Sequence, residues 1–289
     1  TAVAAAERTL PHNLEAERSV LGAILVHNDA FNLAAQVIDS RDFYRDAHRR
    51  IFDKMVALAE RNGAIDLVTL KDELGKAGQM AFRMYAMISG GRTESAMVDR
   101  LIAPGPKSGI NGGTLWIRSI KLYSDGALGS RGAALLDPYS DDAKNNGLLV
   151  SDPKFIEAVA VKALKAGFQV NTHAIGDRGN RVVLDAYEAA LKQVPVADHR
   201  FRIEHAQILN YQDIPRFAQL GVIPSMQASH QTSDMYWAGT RLGTHRLPGA
   251  YAWRSLLNTG VVVPNGSDFP VEYVNPLISF HAAIARQDA

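Results

Sequence analysis

Two textures meet near residue 80. The first stretch has helical periodicity and almost no strand signal; the second is six short apolar runs alternating with helical segments. Together they predict an α/β fold: a partial (β/α)8 TIM-type barrel of about six strands, preceded by a small all-α helical domain. The expected division is 1–79 for the helical domain and 80–289 for the barrel-like one.

Asn13 opens the first helix. Leu14, Val20, Leu21, Ile24 and Leu25 recur at helical spacing, and Glu15 and Glu17 sit in the first turn, where the helix dipole favours them. Residues 30–38 repeat the pattern over a shorter stretch. Residues 42–61 carry Phe43, Tyr44, His48, Ile51, Phe52, Met55, Val56 and Leu58 on one broad face, and Asn62-Gly63 is expected to stop this helix at the glycine. Asp66 opens a last helix with Leu67, Leu70 and Leu74 facing inward.

In the second part, strands are expected at 82–89, 117–126, 168–176, 200–207, 222–229 and 261–268. Helices are expected around 153–166, 178–193, 211–220 and 250–259. Helices between buried strands force parallel connections. A closed barrel of this kind has eight strands and takes about 250 residues, so six strands mean an open sheet.

Composition removes several function classes. Lys+Arg 31 against Asp+Glu 30 leaves a net charge of +1, which fits neither a strongly basic nucleic-acid binder nor an acidic disordered tail. With Cys 0 there are no disulfides, thiolate metal sites or cysteine nucleophiles. A hydrophobic content of 47% supports a well-packed core. The first residues lack a basic segment followed by a long apolar run, and no run reaches the roughly 20 residues of a membrane span. A soluble, cytoplasmic protein with no membrane or direct nucleic-acid site is expected.

In parallel βα barrels the chemistry sits at the C-terminal strand ends. That rule selects Lys121 and Asp125, His173 with Asp177 and Arg178, Glu204 and His205, and Asp268. Imidazole nitrogens and a carboxylate suit Zn²⁺ and similar divalent ions. Each also has a structural reading: a hydrogen-bonded strand-end histidine, a lysine snorkelling between Ile120 and Leu122, a turn-capping aspartate before Phe269-Pro270. His230 is a candidate pocket residue, whereas His199, His245 and His281 read as structural or exposed.

The segments IKLYSDGALGSRGAALLDPYSDD, THAIGDRGN, RIEHAQ and GSDFPV, in this order, resemble the strand-end motifs of the amidohydrolase superfamily. The branch they most resemble is family 3, the YtcJ-like metal-dependent hydrolases, and the match runs from about residue 82 onward. The resemblance implies hydrolysis of carbon–nitrogen bonds other than peptide bonds in a small amide-type substrate. It implies Lys121, His173, His205 and Asp268 as metal ligands, with Asp268 also the catalytic proton shuttle. Arg131, Asp177, Arg178 and His230 would serve on the substrate-binding side. Lys121 resembles a lysine that binuclear relatives carboxylate. The family's strand-one His-x-His pair is missing, since no histidine here lies two residues from another. One divalent metal at most, zinc, and an impaired hydrolase are therefore expected.

A second resemblance lies upstream. LPHNLEAERSVLGAILVHNDAF, DFYRDAHRRIFDKMVALAERNG and IDLVTLKDELGKAG resemble the N-terminal domain of DnaB-type replicative DNA helicases over residues 8–78. This implies self-association in a ring collar or a primase contact, and offers the alternative function of a protein-interaction module. No G-x-x-x-x-G-K-[ST] pattern occurs, so no helicase motor is present in the sequence. The two resemblances abut between Gly78 and Phe82 without a linker, the pattern of a chimera in which both partners are incomplete.

Overall fold

The structure, a computed structural model, describes residues 12–78, 82–93 and 96–287. Residues 79–81, where the resemblances abut, lie outside the described residues, as do the residues before His12 and the side chain of Leu67. The chain divides into two compact units, 1–86 with 108–116 and 87–107 with 117–289.

The first unit contains α1 (Leu14–Val26), α2 (Asp29–Ala34), α3 (Asp46–Ala59) and α4 (Leu67–Lys76). Asn13 caps α1, its side chain accepting from the backbone N–H groups of Glu15 and Ala16 at 3.0 and 3.1 Å. The apolar stripes meet in a core of Leu21, Ile24, Phe31, Phe43, Phe52, Met55 and Leu58. The end of α3 differs from expectation in one detail: Asn62, not Gly63, takes the left-handed position, with φ 52°. Gly63 N–H then reaches back to the Leu58 carbonyl at 2.9 Å, the six-to-one bond that closes such a helix end. Asn28 pins the α3–α4 connection by a reciprocal pair of 2.7 Å bonds with the Ile65 backbone.

Strand β1 (Met84–Ser89), helix α5 (Ala96–Ile102), strand β2 (Lys107–Gly109) and the left-handed turn α6 (Ile110–Gly113) lead to β3 (Leu115–Tyr123). Then come α7 (Pro153–Ala166), β4 (Gln169–Ala174), α8 (Asp177–Gln193), β5 (Arg202–His205), α9 (Ile214–Leu220) and β6 (Ile223–Ser225). Four short or medium helices follow: α10 (Ala228–Asp234), α11 (Ala238–Leu242), α12 (Trp253–Leu257) and α13 (Pro276–Ala285). The sheet runs β1-β3-β4-β5-β6, with β2 paired antiparallel to β3. The β3–β4, β4–β5 and β5–β6 pairs are parallel, as the intervening helices require.

Alternation along the strands sets two faces. Ile120, Leu122, Val170 and Ile203 are fully buried and share a core with Ile156, Val183 and Tyr187 of the covering helices. Lys121, Tyr123, Asn171 and His173 fall between them and face the other way.

The sixth strand is not where it was expected. Residues 261–268 form no strand and touch the sheet through one bridge, Met226 with Asn265. Pro264 has no N–H to give a ladder, although its carbonyl accepts from Met226 N at 3.0 Å. The unexpected antiparallel β2 supplies the sixth strand instead. Residues 222–229 likewise shorten to three strand residues before the chain turns into α10.

Candidate metal centre

The parallel register brings the strand ends level. Tyr123 pairs with His173, His173 with Glu204, and Ala174 with His205. By alternation His205 belongs with Ile203 on the helix-covered face. Its backbone is left-handed instead, at φ 77°, and Ala206 follows at 43°. For non-glycine residues such conformations cost on the order of 1–3 kcal/mol each. The outcome is that the His205 ring lies edge-on to His173, with centroids 4.6 Å apart. Asp268, also left-handed at φ 53°, brings a carboxylate to the same place.

Lys121, His173, His205, His230 and Asp268 line one cavity of about 640 Å³. The His230 ring stacks 5.8 Å from that of His205, and its Nε2 lies 4.0 Å from Asp268 Oδ2. Lys121 Nζ sits 5.1 Å from the Tyr123 ring centroid. Asp268 is the most open member, with its side chain 43% exposed.

Burial keeps the two imidazoles neutral. Burial lowers the His173 pKa to about 3, helped by the neighbouring His205 and Lys121 charges. His205 is lowered chiefly by burial, then by Lys121. Burial also lowers Lys121, against the pull of Glu204 and Asp268. Neutral imidazoles have lone pairs to give.

The donor set fits a divalent ion in chemistry. His173 Nε2 is buried with no hydrogen-bond partner and lies 3.6 Å from Asp125 Oδ1; His230 Nε2 has no hydrogen-bond partner either. His205 Nδ1 is held by Gln227 Oε1 at 2.7 Å, the outer contact that fixes a ligand ring and leaves Nε2 for the ion. Among the described residues, no three His, Cys, Asp or Glu side chains are grouped as a complete metal site.

The other expected residues lie elsewhere. Arg131 is clamped on Asp141 by bonds of 3.1 and 2.9 Å. Asp177 accepts from the backbone of Leu136 and Arg178 at 2.9 Å each, and Arg178 N–H donates to the Ala134 carbonyl. None of the three lines the cavity. Asp125 serves as a backbone anchor, accepting from Ala134, Ile175 and Gly176. Sequence reasoning missed Gln207, Asp234, Trp237 and Glu272, which do line it. Asp234 follows His230 by four residues, one helical turn, and that spacing was the available signal.

The sequence profile of the amidohydrolase family matches residues 14–289. YtcJ of Bacillus subtilis (strain 168) is 37% identical over 171 residues, 59% of this chain and 32% of that protein. An uncharacterised metal-dependent hydrolase from Pyrococcus furiosus superposes with a TM-score of 0.68 at 26% identity, over 89% of this chain and 53% of that one. The replicative DNA helicase DnaC of Bacillus subtilis (strain 168) is 44% identical over 68 residues, 24% of this chain and 15% of the helicase. The chain thus spans about a third of YtcJ and about half of the solved hydrolase. Among the described residues no helix is long and apolar enough to cross a membrane.

Proposed function

The chain belongs to the amidohydrolase family, and from that premise we propose that its second unit is a hydrolase of carbon–nitrogen bonds that works with a single divalent ion, zinc. The observation that carries this reading is the orphaned, buried Nε2 of His173 beside a second imidazole turned into the same cavity at a cost in backbone strain. His173 and His205 would hold the ion, with Lys121 and Asp268 completing the set. Such an ion, once bound, supplies Lewis acidity toward a substrate carbonyl and acidifies a water.

The remaining work falls to the chain. Asp268 at the cavity mouth takes the proton from the attacking water and returns it to the departing nitrogen. Gln227 holds the His205 ring in register. Trp237, Leu128 and Ile175 wall part of the cavity with apolar surface. Without a His-x-His pair, turnover in this reading is slow. Zinc titration by calorimetry, followed by release of amine from N-acyl amines, tests it. Stoichiometry near one with measurable zinc-dependent release is expected, and a protein that binds no zinc refutes it.

A second reading concerns the first unit, whose four-helix core accompanies the 44% identity to a replicative helicase. It is that of a protein-interaction module, self-associating or contacting a primase. Light scattering of the purified chain, alone and with a bacterial primase, tests it; a monomer that ignores primase removes the reading.

A further inference from the structure

The cavity has a wall that the hydrolytic groups do not use. His230, Ser233 and Asp234 stand at i, i+3 and i+4 on α10, and all three line the cavity, with Trp237 just beyond. Ser233 Oγ donates to Glu272 Oε1 at 2.7 Å, drawing a second carboxylate to the wall. Asp234 is fixed from behind: its Oδ2 accepts from Gln207 Nε2 at 2.9 Å and from the Tyr251 hydroxyl at 2.6 Å.

Charge at this wall is unbalanced. Asp234 and Glu272 have no lysine or arginine among the cavity-lining residues except Lys121, which belongs to the candidate ligand set. Burial raises the Asp234 pKa, opposed by the hydroxyl bond from Tyr251 and by the neighbouring His230, with a smaller upward push from Glu272. Two carboxylates thus line this wall with no lysine or arginine of their own among the lining residues. Next to them His230, 9% exposed, carries an Nε2 with no hydrogen-bond partner, 4.0 Å from Asp268 Oδ2. A single group answers all three: a cation with several N–H donors. Trp237 adds an aromatic surface for whatever carries it.

We propose that Asp234, Glu272, His230 and Trp237 form a recognition subsite for a protonated amine carried on an aromatic or apolar group. Resting on the hydrolase reading, the subsite makes the substrate class N-acyl compounds bearing a free ammonium group and disfavours those bearing a carboxylate.

Benzylammonium and phenylacetate, matched in ring and size, are the probes, titrated at pH 7 by calorimetry and by tryptophan fluorescence, with Trp237→Phe to assign the signal. Benzylammonium should bind at least tenfold more tightly than phenylacetate, and Asp234→Asn and Glu272→Gln should each weaken it at least fivefold. Asp234→Asn also disturbs the bonds to Gln207 and Tyr251, so Glu272→Gln, at a half-buried residue, keeps the test clean. Equal binding of the two probes, or ammonium binding unaffected by Glu272→Gln, overturns the subsite. Hydrolysis of N-acyl compounds with no preference for a cationic group would also overturn it while leaving the hydrolase reading intact. Amine-selective binding without any turnover would do the reverse.

Discussion

His173 and His205 stand edge to face, ring centroids 4.6 Å apart and planes at 74°, although the sheet pairs His205 with Ala174 rather than with His173. Only the left-handed backbone at His205 closes that half-step. Two imidazoles brought together against strand alternation, both held neutral by burial, are arranged for a shared ligand. Replacing either ring by alanine should therefore reduce zinc from about one equivalent to near none, as read by elemental analysis after gel filtration. Gln227→Ala, which frees His205 Nδ1, should weaken zinc by about 10–100-fold, measured by competition with a chromogenic chelator. Unchanged zinc in His173→Ala would take that residue out of the site.

Asp268 separates turnover from metal retention. Its side chain is 43% exposed, so its loss leaves no buried gap, and asparagine tolerates the left-handed backbone found there. Asp268→Asn should lower kcat by roughly 10²–10⁴-fold, the usual worth of a positioned acid–base group. Its effect on zinc affinity should be smaller than that of His173→Ala. Steady-state kinetics at saturating zinc decide the matter; a variant with undiminished kcat would leave the proton transfers to another group.

Much of this was legible because strand-end chemistry is local. His173, Lys121 and His205 sit where apolar strands run out, and a reader of the sequence can find those ends. The missing parts depend on long-range geometry. Residues 261–268 have the β-branched texture of a strand, yet Pro264 removes a ladder donor and leaves a single bridge. Ser233 and Glu272 are 39 positions apart and meet through one hydrogen bond, a contact that no periodicity announces. Arg131 lies in a motif shared with the family's functional segments but is spent on Asp141. Motif membership marks a region; the partner of each side chain decides what it does.

His199 shows how a histidine outside the cavity links stability to pH. Its Nδ1 accepts from Phe201 N–H at 2.9 Å, and with Nδ1 unprotonated its Nε2 donates to the Leu220 carbonyl at 2.8 Å. Both nitrogens are satisfied only in the neutral ring, and burial lowers its pKa, opposed by the Leu220 carbonyl and Asp198. The stability it contributes is complete above the ordinary imidazole pKa of about 6.5. It is lost as pH falls below that value, because the unfolded chain then binds a proton that the folded one resists. Between pH 7.5 and 5.5 the urea midpoint should fall, and His199→Gln should flatten this slope. An identical slope in the variant would assign the pH dependence to other groups.

The last prediction concerns what holds His173 in place. Asp125, 2% exposed, accepts from Ala134 and Gly176 on one oxygen and from Ile175 on the other, at 2.8–2.9 Å. It thereby ties the loop after β3 to the end of β4, immediately beside His173. The packing allows nothing larger: a Cβ at Gly179 would run into the Asp125 carboxylate, and one at Gly176 into the Ala134 carbonyl. Gly179→Ala should cost about 1–3 kcal/mol through overpacking. Asp125→Ala, which strands three buried N–H donors at about 1–3 kcal/mol each before relaxation, should cost more. Urea midpoints should fall with unchanged m-values, and zinc affinity should fall with them, because the loop and strand end that seat His173 are no longer tied. A wild-type midpoint in Asp125→Ala would mean that the neighbouring backbone bonds, not this carboxylate, hold the strand end.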